Sequence, residues 1–318
     1  MGGWLVKALL DRDAEVVALV RDNTPRSMFF RDGLSERVTV VYGSVEDADT
    51  VRRSIGEYSI DTVFHLAAQP LVSVAKVDPI STLRTNIEGT WNVLEACRQL
   101  SVRHVIVASS DKAYGANPDL PYLETHPLQG RYPYDVSKSC ADLLSTSYAA
   151  TYQLPVCISR FGNLFGGGDL NFSRTVPGLI KATLQGEPFE IRSDGKFIRD
   201  FLYVKDAAQT YLHLAEKLAE GVASPGEAFN FSLEIRLTVL EVVELVLKLM
   251  GRTDLKPVIQ NRASAEIREQ TLSAAKARKL LGWQPAYTME RALKETIDWY
   301  QEFFASSTDS RPLSPVRS

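Results

Sequence analysis

Residues 102–115 read VRHVIVASSDKAYG, a β-branched apolar run that ends abruptly in Ser109, Ser110, Asp111 and Lys112. A short run that is apolar on both faces is the pattern of a strand buried in a parallel sheet. Four other stretches share it: EVVALV at 15–20, VTVVYG at 38–43, TVFHLAA at 62–68 and VCISRFG at 156–162. Helix-like segments lie between them, DADTVRRSIGEY at 47–58, PISTLRTNIEGTWNVLEACRQL at 79–100 and YDVSKSCADLLSTSYAATY at 134–152. Strands alternating with helices of this length predict an α/β fold, a doubly wound parallel sheet covered on both faces, over residues 14 to about 163.

Beyond that point the texture changes. GGGDLNFS at 166–173 reads as a loop, 176–186 as a helix, and 189–204 as two short strands around a turn. A helix at 206–221, a strand at 227–232 and helices at 238–251, 274–283 and 289–304 follow. We expect a second, smaller domain built from the C-terminal part and interleaved with the first. Residues from about 304 to 318 are Ser/Pro-rich and are expected to be disordered. Trp91 and Trp283 read as core.

The composition narrows the function. The 318 residues are 45% hydrophobic and 24% charged, as in an ordinary globular protein of one large or two intimate domains. The net charge is −3, with acids and bases interspersed, which argues against a nucleic-acid face and a membrane-attracted patch. Three cysteines in apolar stretches suit a reducing compartment, and four scattered histidines lack ligand spacing, so no metal is expected. With no signal peptide and no long apolar run, the expected location is the cytoplasm.

In a doubly wound sheet, ligands bind beyond the carboxyl ends of the strands. The SSDK run stands at such an end. One helix later, YDVSK sets Tyr134 and Lys138 four residues apart, hence on one helical face. An ammonium held beside a phenol lowers the phenol's pKa, so that the phenolate acts as a base near neutral pH. A serine hydroxyl from the neighbouring strand end completes a proton path. Alone, such a pair is a surface aromatic beside a solvated lysine; the strand-end SSDK and the α/β frame favour chemistry.

Taken in order, FHLAAQ (64–69), NIEGTWNVLEAC (86–97), VIVASSDKAYG (105–115), YPYDVSK (132–138), SRFGNLFGGGD (159–169) and IRDFLYVKD (198–206) resemble the extended short-chain dehydrogenase/reductase superfamily, specifically its nucleotide-sugar epimerases and dehydratases. The resemblance runs from residue 2 to about residue 303. It implies a Rossmann-like fold, a tightly held nicotinamide cofactor, a nucleoside-diphosphate sugar as substrate and a homodimer through a helix bundle. Residues 1–163 and about 204–232 would form the dinucleotide-binding domain, and about 164–203 and 233–303 the substrate domain.

The resemblance also implies roles. Tyr134 would be the base, Lys138 would bind the nicotinamide ribose, and Ser110 would assist at the sugar 4-hydroxyl. The cofactor would lie along Gly2, Arg21, Asp22, Val45, Leu66, Ala67, Ala68, Asn86, Ala108, Ser109 and Phe161, besides Tyr134 and Lys138. Gln69, Asn163, Arg174 and Arg199 would meet the substrate, the arginines as guanidinium forks for a pyrophosphate, with Arg199 the better match. Ser44 stands where the family usually has an adenine-binding Asp, so only the backbone of Val45 carries over. Asp22 suits a ribose diol and Arg21 a 2'-phosphate. NAD is favoured because an internal redox cycle needs no reduced pool, and NADP stays open.

The residues after Ser110 divide the family. A 4-epimerase needs only small residues there, because the 4-keto sugar rotates and takes back its hydride. A 4,6-dehydratase must remove the C5 proton, protonate the departing C6 hydroxyl and return hydride to C6, which calls for two functional side chains at the substrate face. Asp111 and Lys112 stand there. Most dehydratases resembled have Asp-Glu, whereas SDK resembles the CDP-glucose 4,6-dehydratase branch, with Asp111 as acid and Lys112 as the C5 base or its electrostatic partner. The plainer reading makes Lys112 a structural partner of a carboxylate.

MGGWLVKALL at 1–10 reads as a helix that begins at the third glycine of the G-x-x-G-x-x-G turn by which the resembled proteins hold a pyrophosphate. Two glycines and a first strand, roughly a dozen residues, would stand before Gly2. EVVALV and FHLAA would then each lack a neighbour. The expectation is therefore a dehydratase; the alternatives are a 4-epimerase and a cofactor-free relative acting as a binding or scaffold protein.

Overall fold

The protein is described as a computed structural model over residues 1–262 and 267–306. The tail expected to be disordered lies, from 307 on, outside the described residues.

Helix α1 (Gly2–Leu10) leads to strand β1 (Val17–Val20), and a short α2 (Met28–Arg31) precedes β2 (Thr39–Tyr42), which runs parallel to β1 with Val17 opposite Thr39. Helix α3 (Ala48–Glu57) starts where the Asp47 carboxylate accepts from the Asp49 and Thr50 N–H groups, and it feeds β3 (Thr62–His65). Helices α4 (Val72–Val77), α5 (Pro79–Leu83) and α6 (Gly89–Gln99) follow. A π-helical turn at Arg84–Glu88 joins α5 to α6. After β4 (His104–Ala108) comes α7 (Pro133–Tyr152), with proline in its first turn, where no N–H is needed, and Gln153 left-handed beyond its end.

The remaining elements are β5 (Val156–Phe161), β6 (Asn163–Phe165), α8 (Thr175–Gln185), β7 (Glu190–Ile191), β8 (Ile198–Arg199), β9 (Phe201–Tyr203) and α9 (Val204–Ala219). Then come β10 (Ala228–Phe231), β11 (Leu237–Thr238), α10 (Val239–Leu249), β12 (Val258–Ile259) and α11 (Met289–Ala305).

Strands β10, β5, β4 and β3 lie in that order in one parallel sheet, with Val105 opposite Val63 on one side and Val156 on the other. Alternation along β4 feeds both faces. Val105 and Val107 pack with α3 and α6, while Ile106 packs with α1 and α9. This Rossmann-like α/β sheet is what the apolar runs predict. A second cluster joins α8, β9, α10 and α11 through Leu179, Tyr203, Val243 and Tyr300. Residues 274–283 cross back to the sheet, where Trp283 is buried beside Phe231 and donates to the Thr210 hydroxyl at 2.8 Å.

Among the described residues, β1 pairs only with β2, and β3 only with β4. Between the free edges of β1 and β3 lies a cleft of about 1620 Å³, lined by Val17–Val20, Thr62–His65, Leu5, Leu9, Val51 and Ile55.

Two expectations are corrected. The stretch 189–204, expected as two short strands around a turn, holds three: β7 pairs with β12, β8 with β11 and β9 with β6. Strands this short take whichever edge the tertiary fold offers, which local alternation does not reveal. Trp91 is 44% exposed, because it shares the outer face of α6 with Glu95 and Arg98 while Val93, Leu94 and Cys97 turn inward.

Candidate active site

The site forms where β4 ends against the start of α7. Ser110 is extended, and its hydroxyl caps a 3₁₀ turn over Asp111–Tyr114 by accepting from the Lys112 N–H at 3.3 Å; it also donates to Asp111 Oδ1 at 3.0 Å. The turn is closed by Gly115 at φ +65°, where an added Cβ would stand 2.0 Å from the Gln129 carbonyl oxygen. Tyr114 anchors it from below: its hydroxyl donates to Asn230 Oδ1 at 2.8 Å and accepts from Arg160 Nη1 at 2.7 Å. Arg160 itself forks onto the buried Asp142 carboxylate.

Helix α7 brings Tyr134 and Lys138 to that strand end. Lys138 is buried, donates to the Ala108 carbonyl at 2.9 Å, and has its pKa lowered to about 8 by burial, with Asp142 pulling it back up. The phenol of Tyr134 departs from expectation. Burial raises its pKa first and the charge of Asp111 raises it further, while Arg174 and a hydrogen bond with Ser110 act downward. One Lys138 N–H goes to Ala108, and burial is the largest influence on the phenol.

Asp111 is 2% exposed, and its Oδ2 has no hydrogen-bond partner, standing 3.6 Å from Lys112 Nζ. Lys112 donates to Oε1 of Gln270, a fully buried side chain. Two more acids adjoin the group. Burial pushes Asp135 up to about 6, with Lys112 pulling it down and Asp111 raising it. Burial pushes Asp200 up to about 7 against its bonds from the Ser232 hydroxyl at 2.6 Å and the Leu272 N–H at 3.0 Å, and Asp111 raises it again. Sequence reasoning missed Gln270, Asp135 and Asp200. Asp200 stood in view beside Arg199, and Asp135 beside Tyr134.

The expected substrate residues are held unequally. Gln69 closes its own loop, its side chain bonding Leu71 and Thr82. Asn163 donates to the Asp200 carbonyl at 3.4 Å. Arg174 donates to Asp169 at 2.8 Å, near enough for its charge to act on Tyr134. Arg199 donates to the Ile198 and Arg268 carbonyls and lies over Phe197.

Of the expected cofactor residues, Gly2, Asp22, Val45, Leu66 and Ala67 line the cleft between β1 and β3. Arg21 and Asp22 pair with each other at 2.7 Å in solvent. Ala68 follows Ala67 in the loop after β3. Two of the expected cofactor residues are also held by the protein itself. Asn86, on the π-helical turn, accepts from the Gln69 N–H and donates to the Gln69 carbonyl and Ser137 hydroxyl, so its amide fixes the loop after β3. The ring of Phe161 is committed to the core, stacked on Phe231.

The remaining groups suit a dinucleotide. No side chain caps α1, and the Trp4 N–H already donates to the Met1 carbonyl, so the Gly2 and Gly3 N–H groups and the bare Gly2 face are what a phosphate could meet. Ser109 carries a buried hydroxyl without a partner at the β4 end, beside the Ala108 carbonyl that Lys138 holds. Burial and the charge of Asp111 raise the Tyr134 pKa, and a cationic ring beside the phenol would act in the opposite sense.

Residues 1–231 match the family model described as the NAD dependent epimerase/dehydratase family. The chain is 29% identical over 314 residues to a CDP-glucose 4,6-dehydratase of Salmonella typhimurium, covering 94% of this chain and 87% of that protein. It superimposes on the UDP-glucose 4-epimerase of Thermotoga maritima, solved with UDP-glucose, with a TM-score of 0.87 at 26% identity over 95% of this chain and 96% of that one. The dTDP-glucose 4,6-dehydratase of Bacillus anthracis, solved in complex with NAD, gives 0.83 at 25% identity over 95% and 93%.

Proposed function

Because the chain belongs to the NAD dependent epimerase/dehydratase family, we propose that it is a nucleotide-sugar 4,6-dehydratase, a carbon–oxygen lyase acting on an NDP-hexose such as CDP-glucose. The observation that carries this reading is the buried Asp111 carboxyl, open at Oδ2 and 3.6 Å from the Lys112 ammonium, directly after Ser110. An epimerase has no use for such a pair.

When bound, NAD supplies the two-electron acceptor that oxidises C4 and later reduces C6. Gly2, Asp22, Val45, Leu66 and Ala67 would line it and Lys138 would hold its ribose. Tyr134, in its phenolate form, takes the proton of the 4-hydroxyl by way of Ser110. The ketone at C4 acidifies C5–H. Lys112, in its neutral form, takes that proton, the C5–H electron pair forms the C5–C6 double bond, and the C6–O bond breaks as Asp111 gives its proton to the leaving hydroxyl. Water leaves a 4-keto-5,6-ene; C6 then takes back the hydride removed from C4, Lys112 returns its proton to C5, and the product is a 4-keto-6-deoxy sugar. Arg174 and Arg199 would meet the diphosphate.

The division into a dinucleotide-binding and a substrate domain belongs to the same reading. So does a homodimer through α6 and α7, supported by exposed Trp91, Leu143 and Tyr152 on those helices. A cytoplasmic location suits three cysteines that are all free.

Incubation with CDP-glucose and NAD tests the chemistry. We expect a 4-keto-6-deoxy sugar by NMR and loss of water, with Asp111→Asn lowering the rate about 10²-fold or more. A C4 epimer as the sole product would replace the dehydratase by an epimerase. Nucleotide-sugar binding without any conversion would favour the scaffold.

A further inference from the structure

Gln270 lies 158 residues from Lys112 in the chain, yet its side chain is fully buried against it. Its backbone is fixed from both sides. The Gln270 N–H donates to the Ile198 carbonyl at 3.2 Å, and the Tyr122 N–H donates to the Thr271 carbonyl at 2.8 Å. Asp200 then takes the Leu272 N–H, so the segment is clamped across the strand end that carries the acids. In its ammonium form Lys112 has donors only, which sets the amide orientation: Oε1 faces Lys112 and Nε2 faces away. Facing away, Nε2 is buried beside the Tyr122 phenol, which donates its own O–H to the Gly115 carbonyl.

This arrangement does two things a structural glutamine would not need to do. It takes one Lys112 N–H, which fixes the direction of the amine's remaining valences. It also holds Nζ at 3.6 Å from Asp111 Oδ2, too far for a tight hydrogen-bonded pair. Two partners that must exchange protons with a substrate are thereby kept from neutralising each other.

Resting on the dehydratase reading above, we propose that Gln270 is the positioning residue of the elimination step: it orients Lys112 toward C5 and keeps Lys112 and Asp111 apart. The oxidation at C4, which belongs to Ser110 and Tyr134, does not depend on it.

The test separates the two half-reactions. Wild type, Gln270→Leu and Gln270→Glu are mixed with CDP-glucose and bound NAD in deuterium oxide. Absorbance near ~340 nm follows C4 oxidation, and NMR follows deuterium uptake at C5 together with product. For Gln270→Leu we expect kcat to fall about 10- to 100-fold, KM to stay within about 3-fold and reduced cofactor to accumulate with little exchange at C5. Gln270→Glu, which restores an acceptor, recovers part of the rate with a shifted pH profile. Equal losses in oxidation and exchange, or full turnover by Gln270→Leu, would overturn the role. Should Gln270→Leu fold poorly, Gln270→Met provides the same comparison. If wild type yields no 4-keto-6-deoxy sugar, the dehydratase reading itself fails, a result visible before any variant is made. A readout without turnover is the ¹³C signal of reductively methylated Lys112, which shifts in Gln270→Leu if the bond orients the amine and stays unchanged if it does not.

Discussion

Lys138 reaches from α7 to the main-chain carbonyl of Ala108, its Nζ 2.9 Å from that oxygen. The bond ties the helix that carries Tyr134 to the strand end that carries Ser110. Burial, which lowers the lysine's pKa to about 8, leaves this amine with little solvent to fall back on. We expect Lys138→Met, which keeps the stem and removes the donor, to lower turnover by about 10²-fold and to weaken NAD binding by about 10-fold. Steady-state rates and fluorescence titration with NAD measure both. Wild-type values in each would remove Lys138 from the site.

Gly115 closes the turn that presents Asp111 and Lys112, and an added Cβ would meet the Gln129 carbonyl at 2.0 Å while the backbone sits at φ +65°. Neither the strain nor the clash is relieved by rotating a side chain. Gly115→Ala is therefore expected to cost on the order of 2 kcal/mol or more in unfolding free energy. Urea denaturation checks it, and a loss below about 0.5 kcal/mol would mean that the turn yields more easily than its geometry indicates.

What the sequence made legible, and what it hid, follows from the range of each interaction. Ser110, Asp111 and Lys112 were readable because a strand end announces itself, and Tyr134 with Lys138 because a helix brings residues four apart onto one face. EVVALV and TVFHLAA were readable as strands, and β1 and β3 lie in separate sheets. Gln270 was not. It enters through single bridges of Tyr122 to Leu272 and Ile198 to Glu269, in a stretch with no hydrophobic period. Asp135 looked like an ordinary acid in a helix's first turn, and only burial gives it a raised pKa. Asn86 was expected beside the cofactor, and its bonds go to Gln69 and Ser137, which no spacing rule foretells.

Asp200 gives a pH dependence whose sign can be worked out. Its carboxyl ionises near 3.8 in the unfolded chain and near 7 in the fold, raised first by burial. Between those values the folded state keeps a proton that the unfolded state has released, so stability falls as pH rises through this window. The penalty is absent below the lower value and complete above the upper one, at about 1.4 kcal/mol per unit. Asp135, raised to about 6, adds to the same slope. Asp200→Asn keeps an oxygen acceptor for Ser232 and Leu272, so we expect a flatter melting-temperature profile and a higher Tm than wild type near pH ~8. Parallel profiles for the two proteins would show that Asp200 is not the group responsible.

The cleft between β1 and β3 makes a last prediction. Val17–Val20 and Thr62–His65 face each other across about 1620 Å³, with Leu5, Leu9, Val51 and Ile55 lining the space above and below. Apolar side chains and strand edges exposed together bind dyes and other chains. A strand of about five or six residues has the length to pair along both edges. An apolar β-branched strand joined ahead of Gly2 through a glycine-rich turn should therefore raise Tm by several degrees, at about 25 cal/mol per Å² of apolar surface covered, and suppress fluorescence of a hydrophobic dye such as ANS. A Gly/Ser extension of equal length serves as the control. If both extensions gave the same Tm and the same dye signal, the edges of β1 and β3 would not be open to pairing.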